Sequence, residues 1–311
     1  MHSAGALDAA VSVYAARRAE FTLDLFAVGP DSGFYALDED AFAIAAFEWP
    51  PSSGVMHQFE RTETELLTQS SRGPYSTALL LDQSAGIASH DAYDARIVAA
   101  AAFMDRLAFG AEAGLVAYAS RGSLPFSPIT SYSDPRGDRF TTDADGFDGA
   151  LNALAGLEGG TRPLYDAVRL AVDYTVQQAA NANRSLLVVS AGNDTGSSSY
   201  SLDQAVEHAI EQGVAIHAVA LSREVNLAML ADMAGRTGGS ISHAADARQL
   251  VSHYGAIGSL LAGSAQFYRT TWTLSLVGGD RDLYAGYWIS TSVRIDTPGG
   301  TLSVPFRLNF D

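Results

Sequence analysis

The chain has 311 residues, 19 of them basic and 35 acidic, for a formal net charge of −16. Hydrophobic residues make up 47%, enough for a sizeable core, which excludes wholesale disorder. Every basic residue is an arginine and cysteine is absent, so Schiff-base and P-loop lysines, disulfides, thiolate nucleophiles and thiolate-bound zinc are excluded; the acidic balance argues against nucleic acid and anionic membranes as partners.

Three zones follow one another. In residues 1–75, the stretch 20–28 alternates apolar and polar residues as a half-buried strand does. Gly29-Pro30-Asp31-Ser32-Gly33 reads as a turn, 41–49 and 56–67 as further strands, and 70–74 as a linker. The opening MHSAGALDAA has neither the basic flank nor the apolar run of a signal peptide, and no apolar run in the chain approaches the roughly 20 residues that span a bilayer.

In residues 76–265, four apolar runs (77–81, 114–119, 185–190 and 214–221) have the character of parallel strands buried on both faces. Helices are expected over 91–109, 146–157, 163–180, 201–212, 225–236 and 246–261, with a short strand near 240–243. Strands and helices that alternate through short connections form a doubly wound, mostly parallel α/β sheet with helices on both faces. In residues 266–311, three stretches alternate strongly: 266–277, 284–296 and 301–310. Three strands at each end are too few to stand alone, so the two ends are expected to complete one β-sandwich, with the α/β unit inserted between them.

Ligands of an open parallel sheet sit beyond the carboxyl ends of its strands. Three segments bring polar groups there. Asp82-Gln83-Ser84-Ala85-Gly86 follows the first apolar strand, Gly159-Gly160-Thr161-Arg162-Pro163 opens a helix, and Ala191-Gly192-Asn193-Asp194-Thr195-Gly196 follows the third strand. A carboxylate, hydroxyls and helix N-termini at one edge suit a hard cation or an anionic group.

These segments resemble the von Willebrand factor A domain. LLLDQSAG sits where that family has a strand followed by Asp-x-Ser-x-Ser, GGTRPLYDAV is similar to its Gly-Gly-Thr segment, and LLVVSAGND sits at its strand followed by Thr-Asp-Gly. GVAIHAVAL and LADMAGRTGGSISHA match its last strands and helices in order, and the flanks resemble the β-rich segments around bacterial members. The resemblance implies a metal-ion-dependent adhesion site, in which an Asp, two Ser, a Thr and a second Asp hold Mg²⁺ for a ligand carboxylate. Position by position, Asp82, Ser84 and Thr161 match. Gly86 stands where the second Ser belongs and Ala191 where the second Asp belongs. With one matched carboxylate, weak or no Mg²⁺ binding is expected.

Asp194 is the available substitute ligand, although Asn193, Asp194 and Gly196 read more simply as turn formers. Asp82 reads either as a surviving metal ligand or as a cap for the next turn or the Thr161 hydroxyl. Ser84 lies near a nucleophile-elbow frame, but Asp82 stands where the first Gly should be. His217, within an apolar strand, reads as a core histidine. Tyr75, Tyr93, Tyr132, Tyr165 and Tyr200 are expected near the same edge, and the long segment 121–147 is a candidate partner contact.

The expectation is therefore a non-catalytic, exported protein-binding or scaffold module, without a cofactor or metal. It would meet another protein through Gln83, Arg162, Asn193 and Asp194. Two alternatives stand beside it: a metal-dependent adhesion domain using Asp82, Ser84, Thr161 and Asp194, and, last, a serine hydrolase at Ser84.

Overall fold

The computed structural model describes residues 3–30, 33–68, 73–120, 127–128, 140–222, 225–244 and 247–310. The first strands are β1 (Ser3–Ala15), β2 (Arg18–Val28), β3 (Phe42–Ile44), β4 (Phe47–Glu48) and β5 (Met56–Thr68). The α/β unit follows as β6 (Tyr75–Asp82), α1 (Ala95–Met104), β7 (Glu112–Tyr118), β8 (Ser127–Pro128), α2 (Ala144–Asn152), α3 (Leu164–Gln178), β9 (Asn183–Ser190), α4 (Leu202–Glu211), β10 (Val214–Ala220), α5 (Leu227–Thr237), β11 (Ile241–His243) and α6 (Leu250–Leu261). Strands β12 (Gln266–Val277), β13 (Tyr287–Thr297) and β14 (Gly300–Phe310) close the chain.

The parallel centre runs β11-β10-β9-β6-β7, as expected for a doubly wound fold. Every residue of β6 is buried, and its side chains alternate between two cores. Ala78 and Leu80 join Val168 of α3, Val206 of α4 and Leu230 of α5. Leu79 and Leu81 join Phe103 of α1 and Ile257 of α6. A strand covered by helices on both faces needs an unbroken apolar run, which is what 77–81 supplies.

The two ends of the chain meet, as expected. Strand β12 lies between β2 and β5 along most of its length, and β13, β14 and β3 make a small second sheet. Phe306 of that sheet stacks on Phe21 at 6.0 Å between centroids, and Phe42 meets Tyr268 at 5.2 Å. Beyond that expectation, the antiparallel strands are continuous with the parallel centre. Strand β1 pairs with β2 on one side and with β11 on the other, so one sheet runs β4-β5-β12-β2-β1-β11 and onward to β8. The join is close enough to require glycine: a Cβ on Gly5 would lie 2.6 Å from the Ile241 carbonyl oxygen and 2.5 Å from the Phe26 ring.

Helix α1 is shorter than the expected 91–109. Asp91 stays outside it and accepts hydrogen bonds from the backbone N–H groups of Ala95 (2.6 Å) and Arg96 (3.0 Å), and Asp94 adopts a left-handed conformation (φ 52°) before the first helical turn. No described helix is long and apolar enough to cross a membrane.

Candidate functional site

The three polar segments lie side by side at the carboxyl edge. The Gly159 N–H donates to the Gln83 carbonyl (2.9 Å), the Ala85 N–H to the Gly160 carbonyl (3.1 Å), and the Thr195 N–H to the Arg162 carbonyl (2.9 Å). Asp82, the last residue of β6, is fully buried at their centre. Its Oδ1 accepts from the Ser84 N–H (2.9 Å) and its Oδ2 from the Ala191 N–H (3.2 Å). A buried carboxylate also needs a cation, and Arg162 supplies it: its Nε donates to Asp82 Oδ2 at 2.5 Å.

Arg162 is 7% exposed. Its Nη1 donates to the Asn193 carbonyl (3.4 Å), and its backbone N–H donates to the Thr195 hydroxyl (3.0 Å). The guanidinium lies where two residues lack side chains. A Cβ on Gly86 would come within 2.8 Å of Nη2, and a Cβ on Gly192 within 2.2 Å of Nη1. The positions that resemble missing metal ligands, Gly86 and Ala191, thus adjoin a tethered cation and a backbone N–H bound to Asp82. Burial, and then the negative charge of Asp82, push the phenol of neighbouring Tyr118 well above its usual pKa, and its hydroxyl donates to the Val189 carbonyl.

Thr161 is exposed, and its hydroxyl bonds to that of Ser120 at 2.6 Å. Ser84 is 1% exposed, and its Oγ has no hydrogen-bond partner among the described residues. Asp194 accepts from the Tyr165 N–H (3.4 Å) and from both the N–H (3.2 Å) and hydroxyl (2.5 Å) of Ser197, which ties its loop to the start of α3. Asn193 is exposed, and its Oδ1 accepts from the Asn226 N–H at 2.7 Å. Gln83 is buried, with its Oε1 taking a bond from Arg96.

Arg96 forms a second centre that the sequence reading did not contain. It is fully buried and donates to Asp91 (2.9 Å), Asp94 (2.8 Å), Gln83 (3.2 Å) and Glu158. This clasp fixes the segment between Ser84 and α1 beside the Asp82 loop. Among the described residues, no group of three or more His, Asp or Glu is placed to share a metal ion.

His217 is buried, as expected, with its Nδ1 2.8 Å from the Ser240 hydroxyl. Tyr75 does not lie at the carboxyl edge: it opens β6 at the opposite end and is fully buried. Tyr93 is 92% exposed beside the Arg96 clasp. Tyr132, most of 121–139 and part of the 70–74 linker lie outside the described residues.

The family model for the von Willebrand factor type A domain matches residues 78–254. No curated protein matches the chain. Among solved structures, a von Willebrand factor type A protein from Catenulispora acidiphila is similar over 100% of this chain and 73% of its own, at 10% identity and a TM-score of 0.53. Proximal thread matrix protein 1 from the mussel byssus, in a form with a zinc-occupied adhesion motif, is similar over 71% of this chain and 50% of its own, at 13% identity and a TM-score of 0.49. The pilus adhesin SpaC from Lactobacillus rhamnosus GG is similar over 85% and 48%, at 9% identity and a TM-score of 0.48. The chain thus spans about half the length of the latter two. The matched segment covers more than half of the sequence and carries both the parallel sheet and the Asp82 loop, and the chain belongs to the von Willebrand factor type A domain family.

Proposed function

We propose that this chain is a non-catalytic protein-binding module that meets its partner at the carboxyl edge of the parallel sheet without a divalent cation. The observation that carries the reading is the Asp82–Arg162 pair. The rim fits Mg²⁺ poorly, because Mg²⁺ needs near-octahedral oxygen ligands. Asp82 is committed to a guanidinium and two backbone N–H groups, Thr161 to Ser120, and Asp194 to its own loop. The tethered cation neutralises Asp82 permanently, so the rim keeps one shape whatever the metal supply.

Among the described residues the Ser84 hydroxyl has no hydrogen-bond partner and so no base to activate it as a nucleophile, which favours binding over hydrolysis. Exposed Asn193, together with Asp194 and Arg162 beneath it, forms the contact centre in this reading. In this reading the module works outside the cytoplasm, in the periplasm, the envelope or beyond.

Calorimetric titration with Mg²⁺ and Mn²⁺ tests the metal part. The expected result is no saturable binding to the native chain; tight binding abolished by Asp82→Asn overturns the reading. The partner part is tested with a photo-crosslinking residue at Asn193 in the native host. One protein adduct is expected there and none from the same probe at Phe109, which is fully exposed at the other end of the sheet. Equal adducts at both positions overturn the placement.

A further inference from the structure

Strand β5 is paired along its full length on one side only. It pairs with β12 from Met56 to Thr68, but on its other side β4 reaches only Met56 and His57. Half of the backbone N–H and C=O groups of residues 58–68 therefore face outward with no ladder partner among the described residues. At roughly 3.3 Å per residue this free edge is about 36 Å long. At the far end of the large sheet, the outer side of β7 is taken in part by β8, at Val116 and Ala117, and by Thr141, at Ala113.

An exposed edge is a template for another strand, and proteins usually blunt it with Lys, Pro, a bulge or a covering segment. Residues 58–68 contain no Pro and a single irregularity, at Thr62. They carry the exposed Glu60, Glu63 and Glu65 and the half-exposed Leu66 (51%). The strand's one cation, Arg61, is engaged with the Phe42 carbonyl (2.9 Å) and Asp40 (3.2 Å). Pairing with a second copy would bring glutamates together within a chain already at −16, and like charges across a ladder are destabilising.

We propose that the free edge of β5 receives an extended segment of a partner protein bearing arginine or lysine side chains, added to the sheet as a further strand. Main-chain hydrogen bonds supply affinity, and the three glutamates select the basic sequence. This surface is independent of the Asp82–Arg162 rim, and either assignment can fail without the other.

Hydrogen–deuterium exchange of the full chain tests it. The probe is a peptide of about ten residues alternating Arg and Thr, long enough to follow most of the edge. Exchange within 58–68 is expected to slow by about tenfold at saturation, the factor that 1.4 kcal/mol provides. A peptide of equal charge with Pro at alternate positions is expected to give no slowing, because it lacks half the N–H donors. The triple variant Glu60→Arg/Glu63→Arg/Glu65→Arg changes only exposed side chains and is expected to switch preference to a Glu/Thr peptide. Three results overturn the proposal: no slowing within 58–68, equal slowing by the Pro-containing peptide, or concentration-dependent protection of 58–68 without any peptide, which would assign the edge to a second copy.

Discussion

Two buried arginines stand near the same rim, and their surroundings differ in a way that separates a clasp from a surface. Arg96 is fully enclosed and faces three carboxylates, Asp91, Asp94 and Glu158, so its cluster carries excess negative charge and every side-chain bond the guanidinium makes stays inside it. Arg162 faces one carboxylate and one carbonyl under two glycines, and it is slightly open to solvent. A cation surrounded by anions holds its own loop. A cation balanced by a single anion holds a loop and still presents polar atoms to the outside.

Removing the enclosed cation is expected to cost the most. Arg96→Met leaves Asp91 and Glu158 without their partner and is expected to destabilise the fold by about 3–5 kcal/mol in urea denaturation. Arg162→Met and Asp82→Asn are each expected to cost less, about 2–3 kcal/mol, because each strands a single charge. Arg162→Met leaves Asp82 with its two backbone donors, and Asp82→Asn leaves Arg162 with the Asn193 carbonyl and a little solvent, whereas Arg96→Met strips the cation from three carboxylates. The Asp82→Asn/Arg162→Met double variant should cost clearly less than the sum of the singles; additive losses would show that the pair does not act as one unit.

Gly192→Ala sharpens the contrast at the rim. Its Cβ falls 2.2 Å from Arg162 Nη1, so the guanidinium must shift, at about 1–3 kcal/mol. The smallest effect concerns acid. Burial alone would raise the Glu158 pKa, but its own backbone N–H and the Arg96 guanidinium outweigh that and hold it below 4.5. A carboxyl group held low in the folded state contributes stability that is present above pH 4.5 and is lost as pH falls through the lowered folded value. Glu158→Gln is therefore expected to cost about 1 kcal/mol at neutral pH, with the gap to the native chain closing in acid.

Much of this architecture was legible in the residues. The apolar runs at 77–81 and 185–190 could only be strands covered on both faces, and the alternation at 266–277 fixed β12 to the residue. Strand β1 was not legible, because Ser3–Ala15 is largely alanine, glycine and serine, which carry little strand preference, and it is held by pairing on both sides. At the rim, the resemblance sets Gly86 and Ala191 where the family has a Ser and an Asp, but it does not say that the Arg162 guanidinium lies against Gly86 and Gly192. Charge balance was the available signal: Asp82 at the end of a buried strand requires a cation, and Arg162 follows Thr161 directly. The Arg96 clasp had no such signal, since Asp91, Asp94 and Glu158 are brought together only by the turn before α1 and the loop after α2.

The join between β1 and β11 has a consequence for how this molecule can be divided. The segment 78–254 marks a unit of descent, yet a cut at those positions would strip the neighbour from Ile241 and Ser242 and sever α6 before its buried Ile257 and Leu260. Shared ancestry and physical separability therefore follow different borders here. A fragment meant for isolation must keep the first strand, which lies far away in the chain, as well as the helix that the inherited border bisects.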